Sequence, residues 1–376
     1  MNRISPDLTS PKEQLLSVAT SGSKLGYRPE LDGLRGISIL LIYIHHLYPP
    51  LVRGGFLGVD IFFVLSGFLI TSLLVEEWNR KGLISLKDFY IRRALRLMPA
   101  VFLLIFITAT LALIVLDKRI ATETYQGIWL TLSYLSNWFY AFGYFSPNNP
   151  LGITWSLAIE EQFYLTWPLL LSLALRFKLG RRWILYILAL FIALISLHRK
   201  ILAEHYGPSI LRLYYASDTR ADTLLMGCLL GLLVSWNLLP HNKKLEISMK
   251  SLASVGVIFL GYLVGTKSWV CLMLYQRGGY TLVALSIAAI LTVVIICPPK
   301  FALLVLKFPP LVWIGRISYG LYLWHWPIRW FIYPKEALPA SEQLVAVVVL
   351  SLLLTGLSYH FVEKPFLRLK KRFGSI

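Results

Sequence analysis

Runs of roughly 20 apolar residues recur along this 376-residue chain, and that is the length a helix needs to cross the hydrocarbon core of a bilayer. Candidate spans lie at 36–51, 56–75, 97–116, 127–142, 154–175, 183–197, 221–238, 252–266, 280–297, 311–333 and 344–361. Hydrophobic residues make up 57% of the chain and charged residues 15%, which excludes an ordinary soluble domain. The prediction is an all-α integral membrane protein.

A net charge of +18 in a soluble protein points toward nucleic acid. Here much of the excess lies in short loops between apolar runs, as the positive-inside rule requires, so no nucleic-acid partner is expected. Eleven crossings would put Arg176–Arg182 opposite Arg92, Arg93 and Arg96 and break the alternation of basic loops. The run at 127–142 is rich in Tyr, Trp, Ser, Thr and Asn. If it is re-entrant or interfacial, ten crossings remain and 26 of the 37 Lys and Arg fall on one side. That side is read as the cytoplasm of a bacterial inner membrane, with both termini inside. The expected organisation is a loose polar tail over 1–26 without a signal-peptide core, one transmembrane domain over 27–367 and a basic tail over 368–376. Cys228, Cys271 and Cys297 show no paired spacing, and no His pair stands at metal-binding helical spacing. Neither a disulfide framework nor a metal site is expected.

Ionisable residues inside apolar segments are costly and carry function by default. Ten residues lie between Arg35 and His46, so on a helix they share a face about 16 Å apart along the axis. His45 stands about 100° round from His46. Asp60 opens the second run after a turn containing Gly54, Gly55 and Gly58. It is placed either to orient His46 as a base or to close the hairpin by a structural hydrogen bond. Glu160 and Glu161 cannot both face lipid cheaply, and they read as a second carboxylate for the site, an acceptor contact, or an interfacial partner for arginine. Arg92 with Arg96, and Arg93 with Arg96, are neighbours on a helix face. They suit either the phosphates of a nucleotide-bearing donor or lipid headgroups. His325, between two tryptophans and before Pro327, reads as a substrate contact or as a structural hydrogen-bonder. No phosphate-binding glycine loop appears in the sequence, so ATP-driven chemistry is not expected.

Taken in order, these segments resemble the membrane-bound acyltransferase 3 family, bacterial O-acyltransferases of polysaccharides, lipopolysaccharide and related glycans. The resemblance rests on Leu31-Asp32-Gly33-Leu34-Arg35 with ten residues to His46. It continues through Gly58-Val59-Asp60-Ile61-Phe62-Phe63, Arg92-Arg93 with Arg96, Thr154-Trp155-Ser156-Leu157 running into Glu160-Glu161, Ser318–His325 and Glu363-Lys364-Pro365. It implies transfer of an acyl group, most often acetyl, from cytoplasmic acyl-coenzyme A to an extracytoplasmic glycan or glycolipid, with Arg35 and His46 as paired essential residues.

Under that reading His46 acts as base or acyl relay, with Asp60 and Glu160 assisting. Arg35, Arg92, Arg93 and Arg96 hold the donor, and Glu161 and His325 meet the acceptor. Many relatives append an SGNH hydrolase-like domain. This sequence shows none, so it is expected to act alone or to serve a separate extracytoplasmic transferase. A proton-coupled transporter or lipid-intermediate flippase would use the same buried residues as a relay, but it has no need of the ordered family segments.

Overall fold

The computed structural model describes residues 26–205, 210–239, 242–266, 278–332 and 340–373. The N-terminal tail, apart from Gly26, and Cys271 lie outside the described residues. No strand occurs among the described residues. In chain order the helices are α1 (Pro29–Leu47), α2 (Gly58–Lys81), α3 (Leu86–Val115), α4 (Lys118–Leu132), α5 (Ser136–Ala141), α6 (Thr154–Arg176), α7 (Arg181–His205) and α8 (Ile210–Tyr215). There follow α9 (Ser217–Ser235), α10 (Lys243–Gly265), α11 (Tyr280–Ile296), α12 (Lys300–Leu306), α13 (Pro309–Arg316), α14 (Ser318–Ile332) and α15 (Ala340–Leu357). A π-helical turn, Ser358–Glu363, joins α15 to α16 (Lys364–Lys370), and Lys371–Phe373 forms a 3₁₀ turn. The expected basic tail is therefore helical as far as it is described.

By length and composition, five helical stretches among the described residues are apolar enough to cross a membrane: Gly55–Lys81, Leu86–Val115, Arg181–His205, Lys243–Gly265 and Ser341–Lys370. A sixth arises if α11 and α12, bent by 101° at their junction, count as one span. The expected crossings are thus not all unbroken apolar rods. The 311–333 run divides at Ile317 into α13 and α14. The 127–142 run is also broken, since α4 ends at Leu132, Tyr134 takes φ 55° and α5 begins at Ser136.

The bundle is organised around α2. The most apolar window of its stretch is 72% buried, against 33% for α3 and 17–22% for the three outer stretches. Those outer helices expose Leu190, Phe191, Val255, Ile258, Val349 and Leu353, the face a helix presents to lipid tails. Small residues set how closely α2 packs on α9. A Cβ on Gly67 would stand 2.0 Å from the Leu224 carbonyl oxygen, and one on Gly227 would stand 2.1 Å from that of Val64. Close backbone approach of this kind is how helices associate without a hydrophobic driving force between them.

The bundle interior also holds paired charges. Asp60 on α2 pairs with Arg220 on α9 at 3.1 Å, and Arg199 on α7 with Asp222 on α9 at 2.9 Å; all four side chains are fully buried. The Tyr280 ring on α11 lies between the two guanidiniums, 4.2 Å from the Arg220 Cζ and 4.8 Å from that of Arg199. Thr281 donates to Asp222 at 2.7 Å. Four helices are tied together by groups that lipid cannot solvate.

Overpacking a tight interface costs about 1–3 kcal/mol. Gly67→Ala and Gly227→Ala should therefore each lower the midpoint of thermal unfolding in detergent. Gly261→Ala on α10, where an added Cβ meets nothing within 4 Å, should leave that midpoint unchanged or raise it.

Candidate active site

The N-terminal half of α1 presents Arg35 to a cavity of about 440 Å³. The break between α13 and α14 fixes this side chain, which donates from Nε to the Gly315 carbonyl at 3.3 Å and from Nη2 to the Ser318 hydroxyl at 3.0 Å. The approach is close because Gly315 packs on the α1 backbone, where a Cβ would stand 1.8 Å from the Asp32 carbonyl oxygen. On α3, Arg93 and Arg96 face the same space. The Arg93 Cζ stacks 3.4 Å from the centre of the Tyr164 ring. Arg96 makes no hydrogen bond or ion pair among the described residues. On α6, Glu160 lines the same cavity and accepts a hydrogen bond from Ser66 at 2.8 Å. Three guanidiniums and one lining carboxylate give this chamber an excess of positive charge, in a form suited to phosphate.

The other end of α1 presents His46 to a second cavity of about 200 Å³. Its walls are aromatic, with Phe56, Trp155, Tyr214, Tyr215 and Trp326, and Asn148 adds an amide. His46 Nδ1 lies 2.8 Å from Nε2 of His325, and the two ring planes lie within 11° of each other with centroids 5.1 Å apart.

The surroundings fix the protons. His325 Nδ1 lies 3.0 Å from the Leu321 carbonyl and 2.7 Å from the Tyr322 carbonyl. Carbonyls only accept, so in the neutral pair the His325 proton belongs on Nδ1, and Nε2 carries the lone pair. That lone pair accepts from His46 Nδ1–H. Nε2 of His46 is then left unprotonated, free to take a proton from a hydroxyl in the aromatic chamber.

His45 has a different task. Its Nδ1 is 3.0 Å from the Val52 carbonyl, which ties the end of α1 to the turn before α2. The doublet therefore divides between a turn clasp and a group paired with His325.

Several expectations need correction. Asp60 was expected beside His46, but its ion pair is with Arg220 and the ring partner of His46 is His325. Arg92 was grouped with the donor arginines. It instead turns to Glu77 at 3.4 Å and donates to the Phe373 carbonyl at 2.9 Å, so the pair facing the cavity is Arg93 with Arg96. Glu160, read from the sequence as a second carboxylate, an acceptor contact or a partner for arginine, lines the arginine chamber. Its neighbour Glu161 lines neither chamber, and His325 stands behind His46 rather than on a cavity wall. The pairing of His46 with His325 spans 279 residues and leaves no mark in local spacing. The only sequence signal for it is a second histidine in an apolar run. Among the described residues no group of three or more His, Cys, Asp or Glu is arranged to hold a metal ion.

The model of the acyltransferase 3 family, described as an acyltransferase domain, matches residues 28–360. The chain belongs to this family. A Bacillus subtilis protein provisionally named peptidoglycan O-acetyltransferase YrhL is 37% identical over 352 residues, which cover 90% of this chain and 55% of that protein. The O-acetyltransferase OatA of Staphylococcus aureus is also 37% identical, over 90% of this chain and 57% of its own length. The chain thus spans a little over half the length of the relatives it matches. No solved structure matches it.

If Asp60 balances Arg220 rather than serving the histidine, Asp60→Asn leaves a buried guanidinium short of its counter-charge. The expected result is a stability loss on the order of 3–5 kcal/mol, read as a lower unfolding midpoint, with specific activity per folded molecule falling far less than in His46→Ala. A carboxylate acting on His46 would give the reverse pattern.

Proposed function

We propose that this chain transfers an acyl group, acetyl in the first instance, from acyl-coenzyme A to a hydroxyl of an extracytoplasmic glycan. The observation that carries the reading is His46, backed by His325, facing an aromatic chamber next to a chamber lined by Arg35, Arg93 and Arg96. The arginines hold the anionic phosphates of the donor and leave its thioester directed toward the histidine. The faces of Trp155, Tyr214, Tyr215 and Trp326 suit the C–H faces of a sugar ring, and Asn148 suits its hydroxyls.

Nε2 of His46 removes the proton from the acceptor hydroxyl as its oxygen attacks the thioester carbonyl. The tetrahedral intermediate collapses with cleavage of the carbon–sulfur bond. The imidazolium returns its proton to the departing thiolate, so the pair ends neutral and ready for another turn. His325 contributes by orientation: its Nε2 accepts from His46 and holds the ring in the reactive tautomer. Direct transfer needs no covalent acyl-enzyme.

The basic face, with Arg35, Arg93 and Arg96, is assigned to the cytoplasm, where the donor resides, and the His46 end to the outer side. The name of the Bacillus relative favours peptidoglycan among the surface glycans, ahead of lipopolysaccharide. A separate extracytoplasmic transferase as the next acceptor remains within the same chemistry, because it too would present a hydroxyl.

The test uses inside-out membrane vesicles carrying their own acceptors and supplied with acetyl-labelled coenzyme A. Base-labile label in glycan is the readout. His46→Ala is expected to cut transfer by about 10²–10⁴-fold, the range of a general base. His325→Ala should lower turnover with little change in the KM for the donor, and His325→Gln, which keeps an acceptor atom, should recover part of the loss. Wild-type transfer by His46→Ala would overturn the mechanism.

A further inference from the structure

The two chambers share a wall. Val59 and Tyr322 line both the arginine chamber and the His46 chamber. The Tyr322 hydroxyl donates to the Ile153 carbonyl at 3.1 Å and is hydrogen-bonded to the Ser156 hydroxyl. Ile153 lines the His46 chamber and Ser156 the arginine chamber, so the phenol is latched at the boundary between them. Its own carbonyl accepts from Nδ1 of His325 at 2.7 Å, placing the latch and the His46 pair within one turn of α14. The facing side is fixed. Val59 is 6% exposed in the first turn of α2, beside Asp60, whose ion pair to Arg220 holds that turn.

We propose that Val59 and Tyr322 form a neck between the donor and acceptor chambers and that its width selects short acyl groups. The inference rests on the donor reading above and adds a determinant of donor specificity to it. The phosphates are held on one side, and the thioester carbonyl must come within reach of the hydroxyl activated on the other. Everything beyond that carbonyl must therefore pass the neck or find room in it. An acetyl group brings only a methyl. A butyryl group brings two more carbons against the branched Val59 side chain and the latched ring. Protein interiors are close-packed, and such a wall does not stretch at no cost. A single methylene in a fitted pocket changes selectivity by about 10–200-fold, so a two-carbon difference at an unyielding neck discriminates strongly.

The experiment compares acetyl- and butyryl-coenzyme A as donors in the same inside-out vesicles, with base-labile glycan ester as the readout. Wild type should prefer acetyl by at least about tenfold. Val59→Ala should reduce that preference about tenfold, and Tyr322→Phe, which keeps the ring but removes the latch hydroxyl, should shift it in the same direction. Val59→Ile should strengthen the preference, which keeps the test open if Val59→Ala fails to accumulate. Arg96→Ala should slow both donors by a common factor and leave their ratio unmoved. Equal use of the two donors by wild type would overturn the neck, as would an unaltered ratio in Val59→Ala or Val59→Ile that still transfers acetyl. If wild type transfers neither group although its vesicles contain the folded protein, the donor reading itself falls, and the neck with it.

Discussion

A guanidinium or carboxylate inside a bilayer has to find its counter-charge in the protein, because lipid supplies none. In this chain the pairs Asp60–Arg220 and Arg199–Asp222 meet that requirement across α2, α7, α9 and α11, with Tyr280 between the two guanidiniums. The geometry of the site depends on this arrangement. The ion pair of Asp60 fixes the first turn of α2, and that turn supplies Val59 to the boundary between the chambers. Neutralised pairs in the scaffold are also what make the other arginines informative. Arg35, Arg93 and Arg96 are not matched in this way, and they converge on one chamber.

The His46 pair follows a related logic carried by hydrogen-bond direction rather than charge. Backbone carbonyls of α14 accept from His325, which forces His325 to accept from His46 and leaves His46 with a bare Nε2. A carboxylate in the place of His325 would fix the same tautomer but would add a buried negative charge to balance. An imidazole anchored to carbonyls orients its partner without that cost. The helix that supplies His325 also supplies Ser318, which grips Arg35, and Tyr322 at the boundary. One short helix, broken from its predecessor at Ile317, therefore reaches both chambers.

What could be read from the sequence follows from which properties are local. Helical spacing placed Arg35 and His46 on one face of α1, and their separation along the axis matches their division between two chambers. The long apolar runs were legible because a spanning helix shows itself over about 20 residues, whereas the breaks at Ile317 and Tyr134 were not. The partners were not. Asp60 lies close in sequence to His46, but Arg220 is closer in space because α2 packs through Gly67 and Gly227 against α9. Arg92 and Arg96 looked equivalent by spacing, yet Glu77 on α2 draws Arg92 away. In each case a long-range packing choice decided between partners that local pattern had left open.

Under the proposed function, the two chambers treat a charged donor differently. Arg35 is held by neutral acceptors, the Gly315 carbonyl and the Ser318 hydroxyl, which orient a guanidinium without cancelling its charge. Arg93 is held largely by the face of Tyr164, an interaction that likewise leaves the cation available. Glu160, the one carboxylate lining the chamber, accepts from Ser66 and offsets one of the three guanidinium charges. The field therefore stays positive where phosphates would enter, and the aromatic chamber at the other end of α1 offers them no comparable attraction. Under the proposed function, charge assigns the donor to one end, hydrogen-bond direction assigns the base to the other, and the boundary at Tyr322 is where the two would meet.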